Sequence, residues 1–119
     1  MAEALGKYLY PRHVWRSRGL AVRTGSRAAE HVAVTLGAAG SQVTNHAATA
    51  VKAADVEWAD EVYVMTARQV QELQHRLGTP ASRLDEREDV SDPYGSDIGT
   101  YRRSCDHITR AMLKRFGTP

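Results

Sequence analysis

"EVYVMTARQVQELQHRL" (residues 61–77) changes its hydrophobic period halfway along. EVYVM (61–65) is dense in β-branched and aromatic side chains, the composition of a strand packed on both faces, so a central, buried strand is expected there. From Thr66 onward the apolar residues fall at Val70, Leu73 and Leu77, steps of three and four that line one face of a helix. Thr66 carries a hydroxyl suited to capping that helix, and Gly78 and Pro80 end it. A strand running directly into a helix is the repeating unit of an α/β domain with a parallel sheet.

On the N-terminal side, Ala53 to Trp58 reads as a short helix, preceded by a loop from Gly40 and Ser41 that carries Asn45 and His46. Residues 27–36 form an amphipathic helix with Ala29, Val32, Ala33 and Leu36 on one face. Val14 to Ser17 is a candidate short strand ended by Gly19. Residues 1–9 place Met1, Leu5, Tyr8 and Leu9 at helix spacing, and Pro11 stops that helix. On the C-terminal side, residues 82–84 are a second short strand, followed by the polar loop DEREDVSDPYGSD (85–97). Ile98, Tyr101, Cys105, Ile108, Met112 and Phe116 then mark a long amphipathic helix. The expected fold class is α/β, three layers around a short parallel sheet, with right-handed crossovers placing helices on both faces. Such a domain ordinarily opens with a strand and a ligand-binding loop. This sequence opens on a helix.

The 119 residues fit one domain, 1–119, large enough to bury a core. Sixteen basic against 14 acidic residues leave a formal charge of +2, too balanced to imply nucleic acid or an acidic membrane as partner. No apolar run approaches the ~20 residues of a membrane span. A single cysteine, Cys105, excludes an internal disulfide framework and suits a reducing compartment, so a cytoplasmic location is expected. No two histidines stand at ligand spacing, and no metal or cofactor is expected. Trp15, Trp58 and Tyr63 read as packing residues, and Arg102 with Arg103 as the solvated side of a helix.

Taken in order, the pieces resemble the low-molecular-weight protein-tyrosine phosphatases, including bacterial relatives that act on phosphoarginine. MAEAL (1–5) is similar to the phrase that in the family follows a loop of Cys, five residues, Arg and Ser-Pro. RSRGL (16–20) resembles the Ser-x-Gly segment after the family's second strand, with Arg18 where a small residue is usual. NHAATAVKAADVEWADEVYVMTARQVQEL (45–73) is similar to the His-containing loop, helix, third strand and following helix. SDPYGSDIGTYRRSCDHITRAM (91–112) resembles the general-acid loop and last helix. The resemblance spans nearly the whole chain, and Asp-Pro-Tyr-Gly with its downstream Tyr101 is its most specific part. The 85–90 loop is unusually charged for it, and the phosphate loop is not among these residues.

The resemblance implies hydrolysis of phosphomonoesters on phosphorylated proteins through a cysteinyl-phosphate intermediate. Asp92 would be the general acid, Tyr94 would flank the substrate, and His46 would brace the phosphate loop. On its own residues, Asp-Pro-Tyr-Gly equally describes a turn before a helix capped by Ser96 or Asp97. His46 equally describes an ordinary polar loop residue. Cys105 is not expected to be the nucleophile. Arg110 follows it after four residues, not five, and CDHITR holds no glycine and lies within a helix whose N–H groups are already bonded. The family's first strand lies between its second and third strands. Because the match starts inside a family motif at MAEAL, Met1 is expected to be an internal methionine of a longer domain, or the start of a remnant. As given, the chain is expected to be poorly stable and inactive. The alternatives are a non-catalytic interaction module on the same fold, or an arsenate reductase, which needs more cysteines than Cys105.

Overall fold

The computed structural model describes residues 1–20, 49–92 and 97–119. In chain order these hold helix α1 (Ala2–Leu9), helix α2 (Ala53–Trp58), strand β1 (Tyr63–Val64), helix α3 (Ala67–Leu77), strand β2 (Ser82–Arg83) and helix α4 (Ile98–Phe116). The helix expected over 27–36 and the loop with Asn45 and His46 lie outside the described residues.

The helix boundaries follow from local chemistry. Thr66 Oγ1 accepts from the Gln69 N–H at 3.2 Å, and Gln69 Oε1 accepts in return from the N–H of Thr66 at 3.1 Å. This reciprocal box satisfies donors that the first turn of α3 would leave open. At its other end Gly78 adopts φ 63°, the left-handed conformation that closes a helix without a Cβ clash. α1 ends at Leu9, one residue before Tyr10 and two before Pro11, as the proline requires.

The sheet is parallel, with Tyr63 opposite Ser82 and Val64 opposite Arg83. It is α/β as expected, but the strand is shorter and less buried than the composition of 61–65 implies. Only two residues pair, and both are half-buried. Val14 to Ser17 forms no strand. Val14 is 77% exposed, and the nearest pairing is an isolated parallel bridge between Gly19 and Ala50. The reason is the same in both places. β propensity becomes a strand only where a partner backbone lies alongside. Between the 14–19 segment and the 62–65 segment lies a groove of about 860 Å³, lined by Trp15, Gly19, Val62, Tyr63 and Met65 among others. Side chains hold the 14–19 segment instead. Trp15 Nε1–H donates to the Tyr10 carbonyl at 3.0 Å, Ser17 donates to Glu3, Arg16 lies over the Trp58 ring, and Arg18 pairs with Asp55 at 3.1 Å.

The core joins Ala4, Leu5 and Tyr10 from the α1 end of the chain to Leu84, Val90 and the Ile108, Ala111 and Met112 stripe of α4. Leu73 of α3 is buried outside that cluster. Phe116 meets Tyr10, Trp15 and Tyr63 edge-on, with centroids 5.5, 5.6 and 5.6 Å away. These aromatics pack, as their sequence context suggested. Trp58 is 42% exposed beneath the Arg16 guanidinium. Among the described residues, no helix is long and apolar enough to cross a membrane.

Gly6 provides a test of this packing. A Cβ built there would lie 2.5 Å from Cδ2 of Trp15. The indole is held by both its hydrogen bond and Phe116, so it has little room to retreat. Gly6→Ala is expected to destabilise by about 1–3 kcal/mol despite the gain in helix propensity, because overpacking outweighs it. Urea unfolding followed by tryptophan fluorescence reads both the loss and the displaced ring. An increase in stability would mean that Trp15 does not rest on Gly6.

Candidate active site

The segment bearing Asp92 is fixed by the residues just before it. The Val90 N–H donates to the Met65 carbonyl at 2.9 Å, one residue past the end of β1. Its side chain is 2% exposed, in the core. The Ser91 carbonyl accepts from Ser104 Oγ of α4 at 3.2 Å, and Ser104 is itself buried. Asp92 follows at once, exposed, at the carboxyl edge of a parallel strand. In open α/β sheets this edge is where ligands bind. The described chain resumes at Asp97, whose Oδ1 accepts from the Thr100 N–H at 2.8 Å and caps α4. That bond holds the Asp97 carboxyl below its ordinary range. Tyr94 and His46 lie outside the described residues.

Met1, just before α1, packs partly buried against the core cluster, as does Cys105 of α4. Burial lowers the pKa of the Met1 ammonium, against the opposing charges of Glu3 and Cys105. Cys105 neighbours Ser104 on α4, whose hydroxyl holds the Ser91 carbonyl at the root of the Asp92 loop. Cys105 is half-buried in mid-helix, and Thr109 Oγ1 donates to its carbonyl at 2.8 Å. Burial first, then Asp106, pushes its thiol above the ordinary value. A thiol kept protonated in this way is a poor nucleophile. Arg102 and Arg103 face solvent, and Arg103 donates to Thr100 at 2.9 Å.

A cluster that sequence spacing did not reveal lies beside this region. His107 Nε2 of α4 is 2.6 Å from Asp85 Oδ2 and 3.3 Å from Glu88 Oε1. The His107 hydrogen bond, aided by the Arg87 N–H, lowers the Asp85 pKa to about 2. Asp85 and His107 stand 22 residues apart, and only the fold brings them together.

Comparison with known proteins agrees with this fold. The sequence profile of the family described as low molecular weight phosphotyrosine protein phosphatase matches residues 1–116. No curated protein matches. Among solved structures, a YwlE mutant from Bacillus subtilis superposes with a TM-score of 0.82 at 27% identity, covering 97% of this chain and 87% of that one. A YwlE arginine phosphatase mutant with a phosphorylated active-site serine gives 0.83 at 26% identity, covering 96% and 86%. Vibrio vulnificus Wzb, solved with benzylphosphonate, gives 0.85 over 96% and 85%; at 18% identity it speaks for the fold alone. With the profile match running from Met1, just before α1, to Phe116, the last residue of α4, the chain belongs to the low-molecular-weight phosphotyrosine protein phosphatase family.

Proposed function

We propose that this chain carries the acid side of a phosphoprotein phosphatase, acting in the cytoplasm on phosphotyrosine or phosphoarginine side chains. Asp92 donates its proton to the leaving atom as the bond to phosphorus breaks. It then accepts a proton from the water that releases phosphate from the enzyme, so one carboxyl serves both half-reactions. Tyr94 flanks the substrate, and His46 braces the phosphate loop. Both substrate types stay in view because the YwlE arginine phosphatase and a B. subtilis low-molecular-weight tyrosine phosphatase each share 26% identity with this chain.

The observation that carries the proposal is the anchoring of Val90 to the end of β1. It sets the root of the Asp92 loop at the edge where such sheets bind ligands. Cys105, the only cysteine of the sequence, is not the nucleophile. Its place in the middle of α4 leaves no converging N–H groups for phosphate. The 119 residues alone are therefore expected to hydrolyse p-nitrophenyl phosphate no faster than buffer. Placing a family segment of strand plus Cys-x5-Arg loop ahead of Met1 is expected to produce turnover. Turnover by the 119 residues that survives both Asp92→Ala and Cys105→Ser would place the chemistry elsewhere and end this reading.

A further inference from the structure

We propose that Asp85, Glu88 and His107 form a binding site for a divalent transition-metal ion of the zinc class, bridging the 85–89 loop to α4. One ligand atom from each of the three residues lies within 4.8 Å of the others. Zinc bonds of ~2.0–2.2 Å put neighbouring ligand atoms of a tetrahedral site about 3.3 Å apart. The His107 Nε2 to Glu88 Oε1 separation is already 3.3 Å. The Asp85 separation of 2.6 Å must widen by less than ~1 Å to admit the ion.

The donor set supports the choice of metal. One imidazole nitrogen with two carboxylates suits zinc sites that keep positions open to water, whereas magnesium and calcium favour oxygen alone. A cavity of about 510 Å³ adjoins the three residues, with room for those waters. Asp85 is oriented in advance, because its Oδ1 accepts the Arg87 N–H at 2.8 Å and leaves Oδ2 directed at His107. Such outer bonds fix the geometry of metal-binding carboxylates. Binding uses the Nε2 lone pair. Any proton on that nitrogen therefore leaves to solvent, or the tautomer protonated at Nδ1 is selected.

The surrounding cations oppose binding without closing the site. Arg115 is engaged by the carbonyls of Arg83 and Leu84 at 2.8 and 3.2 Å. Arg87, Arg110 and Lys114 line the cavity and weaken affinity relative to a dedicated structural zinc site. The earlier expectation of no metal rested on local spacing, which cannot register ligands from a loop and a distant helix. An occupied site would stiffen the chain leading to Val90, and so the root of the Asp92 loop.

The test is calorimetric titration of the full 119-residue chain with zinc chloride, alongside cobalt(II) absorption spectra. One ion per chain is expected to bind. His107→Gln is expected to abolish binding, and Glu88→Gln to weaken it at least ~10-fold, in line with the sensitivity of metal sites to lost partners. His75→Gln, an exposed change on α3, is expected to leave it intact. Glu88 has a side chain 69% exposed, so its variant keeps the fold even if His107→Gln does not. Absence of saturable binding, or binding that Glu88→Gln leaves unchanged, would reduce the cluster to an ion-pair latch and overturn the proposal.

Discussion

Asp92→Ala, made in a fusion that carries the family's strand and Cys-x5-Arg loop ahead of Met1, is expected to lower kcat by about 10²–10⁴. The loss should grow with the basicity of the leaving group. A p-nitrophenolate departs readily without a proton, whereas phenolate gains much more from protonation in the transition state. The signature is therefore a steeper dependence of kcat/KM, which reports departure of the leaving group, on leaving-group pKa, and not merely a slower enzyme. Asp97→Ala is the matched control. It sits five positions away, and its carboxyl is spent on the Thr100 N–H at the start of α4. Removing it should loosen the helix end, especially as an ionised cap stabilises only while pH stays above its lowered pKa. It should leave the leaving-group dependence as it was. Equal losses from the two variants on every leaving group would mean that the loop matters as structure, and that Asp92 is not the acid.

The sequence was most legible where boundary chemistry is local. Thr66, Gly78, Pro11 and Asp97 each act within a few residues, and the end of α1, both ends of α3 and the start of α4 fall close to where those residues place them. The apolar stripe of α4 needed only its own spacing, and Tyr101, Ile108 and Met112 are buried as that spacing requires. The strands were less legible because a strand is a property of two segments. Val14 to Ser17 has the composition but no adjoining ladder among the described residues, and 61–65 pairs over two residues where β2 reaches it. The same division runs through the site. Asp92 could be proposed as the acid because Asp-Pro-Tyr-Gly is a contiguous motif. Asp85, Glu88 and His107 could not, since their meeting depends on how the 85–89 loop folds against α4.

Met112→Ala is the substitution expected to cost most in stability. The side chain is 1% exposed, in the cluster where Leu5 and Tyr10, Leu84, Val90 and the α4 stripe converge. Truncation removes apolar contacts and leaves a cavity that neighbours on separate elements cannot close together. The expected loss is about 2–5 kcal/mol, a large share of the ~5–15 kcal/mol that holds a typical domain. Urea denaturation should show the midpoint falling with the slope unchanged. Leu113→Ala, one residue along and 40% exposed, should shift stability by no more than about 0.5 kcal/mol. Met112→Leu, which nearly conserves volume, should cost less than ~1.5 kcal/mol. That ordering follows from α4 presenting Met112, and not Leu113, to Leu5 and Val90. It bears on chemistry as well, because the same helix face carries Ser104 against the Ser91 carbonyl next to Asp92. If Leu113→Ala proved the costlier change, α4 would be turned by about 100° from this register, and the support beneath the acid loop would have to come from other residues.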